Sequence, residues 1–170
     1  SQGWAFGPPG PAPDPAPHGG GPPAAHSGTN VYGTNLAGNF ADSADYKLTA
    51  GPFNLTSLRN TELRFWRWLN TEVGYDLASV AISTDGVNFT TVWSGFGYDN
   101  QWQLYRLDIA SLADRQSSVY VRFRLQSDSS LNFSGFYLDD VAISAETQPP
   151  QTRLFGTTWI LTDAGNPACQ

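Results

Sequence analysis

Asp139 and Asp140 stand side by side within Gly135 to Ser144, GFYLDDVAIS, a segment that otherwise alternates like a strand. A carboxylate in such a strand is costly to bury unless a cation or several hydrogen bonds offset its charge. Asp139 shares parity with Tyr137, Val141 and Ile143, which are expected to face the core. The chain has one Cys and two His, so an oxygen-only ligand set points to Ca²⁺ rather than Zn²⁺. The competing reading is a carboxylate accepting backbone N–H bonds at a sheet end.

Other residue types with catalytic potential are scattered. Asp42, Asp45, Glu72, Asp76, Asp99 and Asp128 fall in turns, and the chain holds only three Glu. A glycosidase needs two carboxylates converging on one cleft, and no strand carries a clustered acidic pattern. Asp76, just ahead of a strand, is read as bonding turn amides; Asp42 and Asp45 are a weak candidate pair for a second cation. His18 lies in a Gly/Pro-rich stretch, and His26 precedes Ser27. Adjacency in sequence does not make a triad, which needs an orienting acid in space. HExxH, Gly-x-Ser-x-Gly and phosphate-loop patterns are absent. No enzyme is expected; a jelly-roll glycosidase or lyase ranks last among the readings.

The elements that would hold these residues are short strands. Trp4 and Phe6 begin a first one, before the Gly/Pro loop of residues 7 to 23. That loop cannot be sheet interior, because Pro lacks a ladder donor and Gly is entropically costly there. Strand patterns follow at Asn30 to Gly33, Tyr46 to Leu48, Glu62 to Asn70 and Leu77 to Ser83. Asn88 to Trp93, Trp102 to Ile109, Val119 to Gln126 and Gly135 to Ser144 continue the series. Thr84-Asp85-Gly86-Val87 marks a hairpin turn, and Ile109 to Arg115 allows a single helical turn. The fold class is therefore all-β, a two-sheet antiparallel sandwich of jelly-roll type with a long Gly/Pro loop.

Two of these strands carry a second candidate site. Arg64, Trp66 and Trp68 oppose Leu63 and Phe65; Arg122 and Arg124 oppose Val121, Phe123 and Leu125. If both strands lie in one sheet, indoles and guanidiniums line its outer face and can stack on sugars or on another protein. The structural alternative, which we prefer, places the tryptophans under the Gly/Pro loop with arginines stacked on them.

Composition narrows the partners. With 40% hydrophobic and 14% aromatic residues the chain has a core, and 170 residues fit one domain. A net charge of −6 leaves no basic footprint for nucleic acid, and no apolar run is long enough to span a membrane. The absence of Met suggests a processed or excised segment of a secreted protein. Cys169 is the lone cysteine, free or paired outside the segment. Sequons at Asn54, Asn88 and Asn132 matter only in a eukaryotic secretory host.

In their order, several motifs resemble the MAM-type jelly rolls appended to secreted bacterial proteins, including immune inhibitor A-like and subtilisin-like peptidases. They are Gly3-Trp4, Ala25-His26-Ser27-Gly28 before NVYGTNLAGNF, Leu63-Arg64-Phe65-Trp66 with Trp68, Tyr75-Asp76 before VAISTDG, Trp102, and YLDDVAI. The paired cysteines of eukaryotic MAM domains are missing. The resemblance covers roughly residues 3 to 144 and implies a MAM/galactose-binding-like sandwich, a domain of residues 1–146; the polar run with Pro149-Pro150 that follows makes 147–170 a linker and extension or the start of another module. It also implies a structural Ca²⁺ between the Asp-Asp strand and the loop after the His-Ser-Gly segment, with Asp139 and/or Asp140, Asn30 and backbone carbonyls from Ser27 to Asn30 as ligands. The expected role is a non-catalytic, extracellular or cell-surface module that binds carbohydrate or protein. The alternative is an adhesive protein that forms homo-oligomers through a strand at Leu154 to Leu161.

Overall fold

The computed structural model describes residues 3–10 and 20–147. Nine strands and one helical turn follow in chain order: β1 (Trp4–Gly7), β2 (Val31–Thr34), β3 (Asp45–Phe53), β4 (Leu58–Asn70), β5 (Leu77–Ser83), β6 (Thr90–Gly95), β7 (Gln103–Asp108), α1 (Ala110–Ala113), β8 (Val119–Gln126) and β9 (Gly135–Thr147). They form an antiparallel sandwich of a five-stranded sheet, β1-β2-β9-β4-β7, and a four-stranded sheet, β3-β8-β5-β6. The strands expected at Leu77 to Ser83 and Val119 to Gln126 appear with those bounds; β4 and β9 run longer than their patterns suggest.

Alternation explains the core. Leu63, Phe65 and Leu69 of β4, Val121, Phe123 and Leu125 of β8, and Phe136 and Leu138 of β9 meet between the sheets. Rings interlock there edge to face, Phe65 with Phe123 at 5.2 Å and Trp4 with Phe136 at 5.5 Å. A second, smaller cluster forms on the outer side of the five-stranded sheet, where Val31, Trp68 and Tyr137 pack with Ala25, Leu36 and Trp102.

Two register details matter for the sites. Trp66 pairs with Asp139 and Arg64 with Ala142, so β9 spends one extra residue opposite Phe65. Asp140 takes a left-handed conformation at φ +47° within that bulge. The bulge also reverses parity. Phe136 and Leu138 point to the core before it and Ile143 packs against the core after it, whereas Tyr137 belongs to the outer cluster. Asp139 therefore does not face the core, contrary to the strict alternation read from the sequence. The Gly/Pro loop is described at residues 7–10 and 20–23; His18, the Leu154 to Leu161 pattern and Cys169 lie outside the described residues.

Candidate functional site

The acidic doublet and the His-Ser-Gly segment, more than a hundred residues apart, do come together. Asp139 is half-buried and Asp140 exposed. The Ser27 amide donates to Asp139 Oδ2 at 3.0 Å, and the Ser27 hydroxyl donates to Asp140 Oδ1 at 2.5 Å. The Asp140 amide donates to Asp139 Oδ1 at 2.7 Å, and His26 Nδ1 lies 2.8 Å from Asp140 Oδ2. These bonds from Ser27 first, then His26, hold the Asp140 carboxyl below the usual carboxylate range, and the charge of Arg64 adds to the effect. The His26 ring stacks on Trp66, with centroids 3.7 Å apart.

A cleft of about 140 Å³ adjoins the doublet, lined by Asn30, Asp139 and Asp140 together with Phe6, Tyr32 and Val141. Asn30, Asp139 and Asp140 bring side-chain oxygens, the ligand type a hard cation takes, to the rim of a cleft whose other lining residues are aromatic or aliphatic. Each carboxylate oxygen already accepts one protein hydrogen bond and keeps a second lone pair for metal. Among the described residues no three His, Cys, Asp or Glu side chains surround one point. A bound ion would complete its shell with the Ser27 hydroxyl, main-chain oxygens and water. Serine and histidine both bind the Asp140 carboxylate, an arrangement unlike the acid–His–Ser relay of a hydrolase.

The tryptophan ladder is largely roofed. Trp68 is 5% exposed, and its indole N–H donates to the Gly20 carbonyl at 2.9 Å. The Asn70 amide donates to the same carbonyl, and Trp102 Nε1 donates to the Ala24 carbonyl at 3.0 Å. Trp66 is half-buried beneath His26. Segment 20–26 thus lies over the indoles, of which only Trp68 is bonded to the Gly/Pro loop itself, through Gly20. Arg64 is exposed, and the arginines that lie over rings among the described residues are Arg67 and Arg122.

Arg122 and Arg124 are elsewhere. They belong to β8, in the sheet opposite β4, so the single mixed ladder conditional on one shared sheet does not exist. Arg124 is clamped bidentately to Asp45, at 2.5 and 2.9 Å, and Lys47 reaches the same carboxylate at 2.7 Å. Arg124 pulls the Asp45 carboxyl well below its ordinary value, and this pairing replaces the cation considered for Asp42 and Asp45. Asp42 accepts instead from Asn132 at 2.7 Å. The Arg122 guanidinium lies 3.5 Å over the Phe89 ring, while its Nε donates to the Thr49 hydroxyl at 3.1 Å. Ser79, Ala81, Phe89 and Thr91 join the two arginines around a small pocket of about 90 Å³.

Asp76 behaves as its position suggested. It is fully buried and accepts from the amides of Glu72 and Asp128 at 2.9 and 3.2 Å, while burial raises its carboxyl above the usual range. One ion pair went unread. Arg67 binds Asp99 at 3.0 and 2.8 Å with both side chains about nine-tenths buried, and its guanidinium lies 4.4 Å from the Tyr105 ring. The signal was present: Arg67 occupies the core parity of Leu63, Phe65 and Leu69.

No family model matches the chain. Over 125 residues, 73% of its length, it is 35% identical to bacillopeptidase F of Bacillus subtilis (strain 168); the match spans 9% of that protein. Among solved structures, TmCBM61 in complex with β-1,4-galactotriose aligns at TM-score 0.45 and 16% identity, over 72% of this chain and 74% of that one. A carbohydrate-binding module of the β-sandwich superfamily aligns at TM-score 0.46 and 14% identity, over 72% and 50%. No helix among the described residues is long and apolar enough to cross a membrane.

Proposed function

We propose that this chain is a MAM-like, non-catalytic accessory module of a larger secreted protein, a peptidase or a glycanase, and that it binds carbohydrate. The reading places the ligand on the outer face of the four-stranded sheet. The observation that carries it is the pocket where Arg122 lies over Phe89 beside Arg124, Ser79 and Thr91. A planar guanidinium with free N–H donors, an aromatic ring and two hydroxyls is a set suited to a sugar's hydroxyls and its C–H face. The tryptophan face is the weaker choice, because its indoles are already bonded to segment 20–26.

The same reading includes a structural Ca²⁺ at the cleft beside Asp139 and Asp140, where Asn30 and Ser27 would supply further oxygens. The ion would fasten the start of the sandwich to its last strand and take no part in recognition.

Affinity electrophoresis or calorimetry over a panel of neutral and acidic polysaccharides tests the proposal. Retention on at least one polysaccharide is expected, with Arg122→Ala weakening it about tenfold or more, as loss of one strong contact does. The melting temperature of that variant should stay close to that of the parent. Retention indifferent to Arg122→Ala would rule out this face, and inertness across the panel would leave extracellular protein as the partner class.

A further inference from the structure

Strand register rules the outer face of the four-stranded sheet into rows. Thr49 of β3, Arg122 of β8, Ala81 of β5 and Thr91 of β6 stand across one row. Lys47, Arg124, Ser79 and Ser94 stand across the next. The pocket of about 90 Å³ lies where the long side chains of β8 meet the short Ser79 and Ala81 of β5, with Phe89 and Thr91 beyond them. A site that encloses a whole small molecule needs roughly 300–1,000 Å³. This hollow therefore admits one substituent of a larger ligand, whose remainder lies on the sheet.

The charge of this face runs against that of the chain. The protein carries −6 overall, yet Lys47, Arg122 and Arg124 gather here. Lys47 and Arg124 share one carboxylate, that of Asp45, at 2.7 and 2.5 Å. Arg122 forms no ion pair among the described residues, so the face stays cationic. Its side chain is also held in place before any ligand arrives. Nε donates to the Thr49 hydroxyl at 3.1 Å, and the guanidinium carbon lies 3.5 Å from the Phe89 centroid. Stacking occupies a face of the group and leaves the N–H donors of both terminal nitrogens at its edge. Two parallel N–H groups at fixed spacing match the two oxygens of a carboxylate.

We propose that the substituent seated here is the carboxylate of a uronate residue in an acidic polysaccharide. Arg122 takes it through both terminal nitrogens, and the hydroxyls of Ser79 and Thr91 line the pocket as further donors. This assignment rests on the carbohydrate reading of the same face and narrows it from sugars in general to acidic ones. A neutral sugar would strip water from Arg122 without supplying a counter-charge; a carboxylate supplies it. An acidic peptide offers the same group, but interfaces with peptides depend on buried aromatic or aliphatic anchors. Apart from Phe89, the pocket has no apolar wall larger than Ala81.

Calorimetry on the full chain with galacturonate, glucuronate and mannuronate oligosaccharides, each beside its methyl ester, tests the assignment. Esterification removes the charge and keeps the ring. At least one acid oligomer should bind about tenfold or more tightly than its ester, as one charge-assisted contact implies. Arg122→Ala should erase that preference at an unchanged melting temperature. Arg122→Lys keeps the charge without the planar pair of donors and should lose most of the preference; it decides the matter if the alanine variant melts early. Arg106→Ala removes the same charge from the opposite sheet and should leave the preference intact. A loss equal to that of Arg122→Ala would mean that overall charge sets it, and would overturn the proposal. Equal binding of acid and ester would do the same, while binding still lost with Arg122 would leave the carbohydrate reading standing. Inertness toward every saccharide, acid or ester, would remove both. Tighter binding of poly-glutamate than of any uronate would give the pocket to an acidic protein instead.

Discussion

The indole of Trp68 shows how a side chain that suggests recognition can instead hold a loop. Its ring packs with Val31 and Tyr137, and its N–H is spent on the Gly20 carbonyl. Trp68→Ala should therefore lower unfolding free energy by about 3–5 kcal/mol, the range for truncating a buried large aromatic. Denaturant titration measures this; Trp66→Ala, which removes a half-buried ring under His26, should cost less. Asp140 has a different signature. Its folded carboxyl is more acidic than in the unfolded chain because Ser27 and His26 bond its charged form. A depressed acid contributes stability above the unfolded aspartate value of about 3.9 and loses it as pH falls through the lower folded value. The stability gap between the parent and Asp140→Asn should thus be flat above about pH 5 and close below about pH 4. A gap that widens on acidification would contradict the bonding described. Asp76 has the opposite sign: burial raises its folded value, so its contribution falls as pH rises through the window between the unfolded and folded values.

Strands were legible wherever alternation is local. β5 and β8 follow from Ala78-x-Val80-x-Ile82 and Val121-x-Phe123-x-Leu125, and the Asp85 turn follows from its own chemistry: Asp85 Oδ1 accepts from the amides of Val87 and Asn88 at 2.8 and 2.7 Å. Sheet membership was not legible, because nothing in the spacing of β4 and β8 says which lies behind which; the Arg/Trp ladder failed on that point and because segment 20–26 covers Trp68. The β9 bulge was hidden for a related reason. An extra residue at Asp140 changes parity without changing composition, so Asp139 read as a core residue when it faces Ser27. The meeting of Ser27 with the doublet came only from the resemblance, since no local signal links residues 112 apart. Gly33 shows what the β2–β9 pairing demands in return. A Cβ there would lie 2.6 Å from Leu36 Cδ2 and 2.7 Å from the Tyr137 ring, which is fully buried. Gly33→Val should destabilise by about 1–3 kcal/mol through overpacking, read from the denaturation midpoint. A neutral result would mean that β2 can shift on β9.

The sandwich is held together by contacts distant in sequence, and the His26-Ser27 segment bonded to the doublet on β9 closes a loop of more than a hundred residues. A cation at that junction acts on the folded state alone, because the unfolded chain holds Asn30 and the doublet far apart. Its stabilisation then grows with the logarithm of free ion over its dissociation constant, about 2.7 kcal/mol at a hundredfold excess. For a domain of this size each kcal/mol moves the melting temperature by about 2–4 °C. Excess EDTA should thus lower the melting temperature by about 5–10 °C relative to millimolar Ca²⁺, and restored Ca²⁺ should return it. The double change Asp139→Asn with Asp140→Asn should melt at one temperature with or without chelator. Sugar retention at the Arg122 pocket, on the opposite sheet, should survive EDTA below the new transition. The absence of any chelator-dependent shift in the parent would leave the doublet held by Ser27 and His26 alone and remove the ion from the module; a shift that persists in the double variant would move the ion to another site.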